Sequence, residues 1–145
     1  MNKIKNTKGF TLMEMLIVVA IIAVLVAIAI PTFTKSLNDA RVATDKANIR
    51  SGYASVMADI LTNQYNVDSG SEKDVTYFLN KDGSVTPGTS ATDPYQCFGK
   101  QDTAVKIAGL DVDSWEKGST VKYEYKYNPD ATKKEKSVAI TIVAP

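Results

Sequence analysis

Met15 to Ile30 is an unbroken row of sixteen apolar residues, and nothing comparable recurs in the 114 residues that follow Pro31. As a helix, the 21 residues from Phe10 to Ile30 would run roughly 31 Å, about one hydrocarbon thickness. Past Pro31 the pattern changes period. Phe33, Leu37, Ala40, Ala43, Ala47, Tyr53 or Ala54, Met57 and Leu61 recur at threes and fours, which predicts an amphipathic helix. Lys35, Asp39, Arg41, Asp45, Lys46 and Arg50 fall on its other faces, with Lys35/Asp39 and Arg41/Asp45 four apart and able to pair. Pro31 lacks an N–H and crowds the carbonyl four residues back, so a kink or local opening is expected there. The helix is expected to end near Asn63 to Asn66, ahead of Asp68-Ser69-Gly70-Ser71. From Phe10 to about Tyr65 it would be about 80 Å long.

The remainder carries strand patterns. Val121, Tyr123, Tyr125 and Tyr127 alternate with Lys122, Glu124 and Lys126; Val138, Ile140 and Ile142 alternate with Ala139, Thr141 and Val143. Asn128 to Lys136 would join the two as an antiparallel hairpin. Val75 to Leu79, then Lys81-Asp82-Gly83 and Ser84-Val85, reads as another strand and turn, and Thr86 to Asp93 as loop. The segment around Leu110 and Trp115 reads as a short helix starting near Asp111 or as a surface loop. The tyrosine stripe reads as core packing rather than a ligand platform. The fold class that follows is α+β: a long N-terminal helix whose amphipathic half packs on a small antiparallel sheet.

Composition adds exclusions. The net charge of +1 offers no footprint for nucleic acid, although Lys122 and Lys126 could make a local patch. Lys3, Lys5 and Lys8 are the only charges in the first nine residues. Taking those three from the 17 basic residues leaves 14 against 16 acidic ones, a net of −2. The positive charge is thus a property of the leader, as for a flank that stays on the cytoplasmic side. The chain has no histidine, which removes His-based triads and imidazole-ligated metals. Its one cysteine, Cys97, cannot form an intramolecular disulfide; it stays free, pairs between chains, or is buried as a small apolar residue.

Three readings of the first thirty residues compete. Ala27-Ile28-Ala29 would serve a signal peptidase, but the apolar run is long for a signal peptide and contains Glu14. A plain membrane anchor fits the length and gives no reason for a carboxylate that costs about 2–3 kcal/mol or less at that depth unless paired. The third reading rests on Lys8-Gly9-Phe10-Thr11-Leu12-Met13-Glu14, followed by the aliphatic run and Pro31. This stretch closely resembles the processing site of type IV prepilins and related pseudopilins, and the chain looks like a major type IVa-like pilin.

The resemblance implies cleavage between Gly9 and Phe10 by a prepilin peptidase, with N-methylation of Phe10. It implies a leader over 1–9, a membrane and filament-core helix over 10–31, an amphipathic helix over 32–66 and a β-sheet head over 67–145. Glu14 would then pair with the Phe10 ammonium of a neighbouring subunit, or with that of its own chain one turn away. Its structural alternative is a glutamate snorkelling to the interface. Ala20, Ala23 and Ala27 put small side chains on one face, a candidate packing stripe. Implied partners are copies of the same chain in a helical filament, the peptidase, and an assembly platform with its ATPase. The chain would sit as a single span in the bacterial cytoplasmic membrane before assembly, and in a surface filament after it.

By the same resemblance the helix near Pro31 would lose regular hydrogen bonding in the filament. Two features depart from the family. One cysteine cannot close the C-terminal disulfide loop of many type IVa pilins. Asp111 and Asp113, with Asp130 more remote, resemble only a fragment of a pseudopilin calcium loop. No cofactor and no catalytic residue is expected. The alternatives are a major pseudopilin of a secretion or DNA-uptake system and, in another class, a membrane-tethered enzyme or ligand-binding domain.

Overall fold

The computed structural model describes residues 9–62, 73–128 and 135–145. One helix, α1 (Leu12–Thr62), carries the N-terminal third, and six strands follow: β1 (Lys73–Leu79), β2 (Val85–Pro87), β3 (Val105–Ile107), β4 (Leu110–Val112), β5 (Thr120–Asn128) and β6 (Glu135–Val143). The chain divides into two compact units, Met1–Leu37 and Asn38–Pro145. The expected helix end near Asn63 to Asn66, most of the 128–136 connection and Asp130 lie outside the described residues.

In the first unit the large apolar side chains from Phe10 to Phe33 are exposed on every side of the helix. Among the described residues, α1 is the one helix long and apolar enough to cross a membrane. It is helical through Pro31 without interruption, so the opening expected there is absent in the single chain. The hydroxyls of Thr32, Thr34 and Ser36 donate to the carbonyls four residues back, Ile28, Ile30 and Thr32, at 3.2, 2.9 and 3.1 Å.

In the second unit, β2-β1-β5-β6 form a four-stranded antiparallel sheet, and β3-β4 a separate hairpin. The alternation in β5 sets which face is buried. Tyr123, Tyr125 and Tyr127 point inward with Tyr77, Leu79 and Ile140, and α1 lays Val42, Ile49, Val56 and Ile60 on them. Register aligns Tyr77, Tyr123 and Ile140 in one row across three strands. The tyrosines are thus core, as their spacing predicts, and their hydroxyls reach the helix: Tyr123 donates to the Ile49 carbonyl and Tyr77 to the Asp59 carboxylate, both at 2.8 Å. The β5–β6 hairpin forms in the expected sense, from Thr120↔Val143 to Asn128↔Glu135.

Three further expectations are overturned. Thr86 and Pro87, read as the start of a loop, pair in β2 with Phe78 and Tyr77. The buried stripe of α1 is Val42, Asp45, Ile49, Gly52, Val56 and Ile60, not the alanine-based one; Ala40, Ala43, Ala47 and Ala54 are exposed. Alanine is too small for its position to choose a face, and Asp45 belongs to the core rather than to a pair with Arg41. The segment after Ala108 is neither helix nor irregular loop. Val105-Lys106-Ile107 and Leu110-Asp111-Val112 pair about a two-residue turn, with Ala108 at φ 53° and Gly109 at φ 85°, a type I′ geometry.

Gly52 lets β5 approach. A β-carbon there would press on the Tyr123 hydroxyl and stand 2.8 Å from Leu79 Cδ1 and 2.9 Å from Tyr123 Cζ. Overpacking costs about 1–3 kcal/mol, against about 1 kcal/mol regained in helix propensity. With three atoms closer than 3.0 Å the upper end applies, a net loss of about 2 kcal/mol, so Gly52→Ala should lower the melting temperature of the detergent-solubilised chain by roughly 5 °C or more. Ser51→Ala, one residue away on the exposed face, should leave it unchanged.

Candidate functional site

The first candidate lies where α1 begins. Thr11 stands just before the first helical residue, and its hydroxyl accepts the Glu14 N–H at 3.2 Å. The Glu14 Oε2 accepts in return from the Thr11 N–H and the Thr11 hydroxyl, each at 2.8 Å. This is a capping box: the reciprocal bonds satisfy two of the donors that every helix leaves unpaired at its start. The negative group also sits favourably at the positive end of the helix dipole. The signal Thr-x-x-Glu before an apolar run is present in the sequence, and reading Glu14 only as a charge passes over it. Gly9 and Phe10 precede the helix and are exposed, Phe10 at 80%. Among the described residues, a β-carbon at Gly9 would meet nothing within 4 Å.

Farther along, Ala20, Ala23 and Ala27 lie on the exposed surface of the first unit, and Ala20 lines a shallow apolar groove with Ile21, Val24 and Leu25. A second groove, built from residues on either side of Pro31 in the chain, is lined by Leu25, Ile28, Ala29, Thr32, Phe33 and Ser36. Pocket walls so apolar hold no polar array that could orient a small substrate.

The second candidate has no counterpart in the sequence pattern. Asp45 is completely buried. Its Oδ1 accepts from the Tyr95 hydroxyl at 2.6 Å, and its two oxygens share the Phe98 N–H at 2.9 and 3.1 Å. Its Oδ2 also accepts from the Gly99 N–H at 2.9 Å and from the Trp115 indole N–H at 3.4 Å. Among the described residues no cation pairs with it. Two consecutive backbone N–H groups and two side-chain donors instead form a nest around one carboxylate. Asn48 extends the network by donating to the Tyr95 hydroxyl at 2.9 Å, and Asn38 exchanges two bonds with the Lys100 backbone, at 3.0 and 2.9 Å. Asp45 thereby ties α1 to residues 50 to 70 positions away. No pattern in a single sequence signals that.

Cys97 sits beneath this network, 2% exposed, which settles its three alternatives in favour of burial. Burial, and then the nearby Asp45 charge, push its thiol up to about 12. The Tyr95 and Tyr123 hydroxyls are also raised, chiefly by burial. A folded state that holds these protons more tightly is stabilised fully below the unfolded values and loses that contribution as pH rises toward the folded ones. Stability should be level to about pH 9 and fall between there and about 12. Thermal melts followed by Trp115 fluorescence across that range test this; Cys97→Ala should flatten part of the decline.

The acidic candidates are not brought together. Asp111 lies across from Lys106 in the β3–β4 ladder and is bound to it at 3.0 Å, while Asp113 is exposed beyond the strand. Among the described residues no group of three or more metal-ligating side chains converges.

Comparison with known proteins bears on the first candidate and on the chain as a whole. A family model, the prokaryotic N-terminal methylation motif, matches residues 4–30. The chain is 50% identical over 52 residues to the type IV narrow pilus major component PilA5 of Thermus thermophilus, a match spanning 34% of this chain and 45% of that protein. It is 32% identical over 103 residues to a fimbrial protein of Pseudomonas aeruginosa, across 71% of this chain and 67% of that one. The chain thus covers less than half of the Thermus relative and two thirds of the Pseudomonas one. No solved structure matches it significantly.

Proposed function

From the premise that this chain belongs to the type IV pilin family, we infer that it is the structural subunit of a pilus filament, held in the membrane by its N-terminal helix and polymerised through it. The observation that carries this reading is Glu14 in its setting: a carboxylate at the head of a helix that is otherwise apolar and exposed from Leu12 to Ile30. In lipid, and among packed helices, an unpaired carboxylate is costly. Among the described residues the Thr11 bonds engage one of its oxygens, Oε2, and the other is open to meet a positive group.

Cleavage between Gly9 and Phe10 would supply that group, an ammonium on Phe10, in each subunit. The peptidase would then methylate it, and the Glu14 of one subunit would take the Phe10 ammonium of the next. Such a pair specifies register, because any other axial offset leaves both charges alone. The rest of the interface is apolar and interchangeable with lipid, so packing along Ala20, Ala23 and Ala27 and this one pair must decide association. Pro31 gives the Ala27 carbonyl no N–H, which makes it the place where the helix gives way most easily during packing.

In this scheme residues 1–9 are the leader, 10–31 the span and filament core, 32–66 the amphipathic helix, and 67–145 the head. The partners are further copies, the prepilin peptidase, and an assembly platform with its ATPase. Both relatives are pilus or fimbrial proteins, which favours the pilus over a secretion pseudopilus. Family membership likewise supports a structural role. The test is electron microscopy and peptide mass mapping of material sheared from cells that express the chain with its native assembly genes. Thin filaments composed of this chain are expected; a chain found only in membrane fractions, as a monomer, would overturn the reading.

A further inference from the structure

Between Leu12 and Pro31, α1 carries no serine or threonine; directly after the proline come Thr32, Thr34 and Ser36. Each is exposed, and each hydroxyl donates to the carbonyl four residues back. In a helix that carbonyl already accepts the N–H of the same residue. Ile28, Ile30 and Thr32 therefore hold two donors apiece, one on the backbone and one on a rotatable side chain. Thr44, Ser55 and Thr62 make the same bond farther along α1, but singly and in the second unit. Place sets the cluster apart. It adjoins Pro31, whose missing N–H leaves the Ala27 carbonyl without its ladder donor. It lies wholly in the first unit, where residues 31–37 are exposed. At Asn38 the helix is fastened, because that side chain exchanges two bonds with the Lys100 backbone. Thr32 and Ser36, four apart, share one face, and Thr34, two residues from each, lies on the opposite one.

We propose that Thr32, Thr34 and Ser36 are reserve donors that let α1 open beside Pro31 as subunits pack into a filament. Opening a helix parts backbone N–H groups from their carbonyls. Among packed apolar helices no water replaces the lost donors, so every stranded carbonyl opposes the change. Here the hydroxyls remain. A threonine or serine hydroxyl swings about one side-chain torsion and reaches the carbonyl three or four residues back. Ile28, Ile30 and Thr32 thus keep a donor while the backbone lengthens, and whichever side of the helix opens, a hydroxyl stands there. The same bonds compete with the ladder in the closed helix and loosen it. The apolar run ahead of Pro31 has no such donors, and Asn38 is tied down, which directs opening to the stretch between Ala27 and Asn38. The proposal rests on the filament reading and deepens it. Pro31 removes one ladder bond, and the three hydroxyls cover those lost next to it.

Two measurements decide it. Combining Thr32→Val, Thr34→Val and Ser36→Ala removes the three hydroxyls and little else. This chain should give roughly fivefold fewer sheared filaments, while the melting temperature of its detergent-solubilised monomer stays within about 3 °C of wild type. Thr32→Ser, Thr34→Ser and Ser36→Thr together keep every hydroxyl and should keep the wild-type yield. In solid-state NMR of ¹³C-labelled wild-type filaments, the carbonyl carbons of Ile28, Ile30 and Thr32 should leave the helical range that they occupy in the detergent-solubilised monomer. Undiminished yield from the hydroxyl-free chain would overturn the proposal, as would an equal loss in the hydroxyl-exchanged one, which would point to side-chain shape. Filaments in which these carbonyls stay helical would overturn it too and leave the filament reading standing. Should the hydroxyl-free chain fail to fold, the spectra and the hydroxyl-exchanged chain decide. Failure of the wild-type chain to form filaments would overturn the filament reading and this proposal with it.

Discussion

Asp45→Ala should be the most destabilising single substitution in the second unit. Four donor groups, on Tyr95, Phe98, Gly99 and Trp115, lose their shared acceptor at once. Each buried donor left unsatisfied costs about 1–3 kcal/mol, and partial rearrangement keeps the losses from summing. A net loss of about 3–5 kcal/mol is a large fraction of the stability of any domain this size. The melting temperature of the detergent-solubilised chain should fall by at least about 12 °C. Asp45→Asn keeps one acceptor but turns an amide NH₂ toward donors, so it should fall between alanine and wild type. Asp39→Ala, on the exposed side of the same helix, should change nothing measurable. If Asp45→Ala melts like Asp39→Ala, the nest is not what fixes the Tyr95–Lys100 segment to α1.

Glu14 substitutions should have the largest effect on assembly, and the choice of substitution separates two roles. Glutamine at this position preserves a capping box, because its amide oxygen can accept from the Thr11 N–H as the carboxylate does. It carries no charge. If Glu14 matters as a cap, Glu14→Gln should assemble like wild type and Glu14→Ala should not. With charge pairing to the Phe10 ammonium as the decisive role, both should lose filaments by a factor of about ten or more. Thr11→Ala removes the hydroxyl from the cap but leaves the carboxylate and the Thr11 N–H in place. It should cost about 1 kcal/mol of helix-end stability and only a modest part of the filament yield. Quantifying sheared subunits against the membrane-retained pool for the three variants distinguishes these outcomes.

The architecture was readable wherever a side-chain period acted alone. Alternation placed β5 and β6 and their hairpin, and the Lys81-Asp82-Gly83 turn placed β1 beside β2, with Gly83 at φ 83° supplying the turn. Sixteen apolar residues in a row needed no arbitration as a helix. Reading failed where tertiary structure overrode the local pattern. The buried face of α1 contains an aspartate and a glycine, the two residue types a hydrophobicity pattern discards first. Both belong there because of groups far along the chain: donors from 95 to 115 for Asp45, and the Tyr123 ring for Gly52. The β3–β4 hairpin was missed because its turn uses alanine at positive φ, where asparagine or glycine would have announced it. The capping box shows the opposite lapse, a short-range signal present in plain letters and passed over because Glu14 was read for its charge.

Pairing through Phe10 requires that the mature subunit begin there, and the filament proposed above depends on that terminus. The intact mass and N-terminal sequence of the chain recovered from sheared filaments report on it without an intermediate step. A chain that starts at Phe10 and is heavier by one methyl group than its sequence is the expected result. A chain starting near Ile30 or Pro31 would mean cleavage after Ala27-Ile28-Ala29 and loss of Glu14 with the leader. That would contradict both the pairing and the filament built on it.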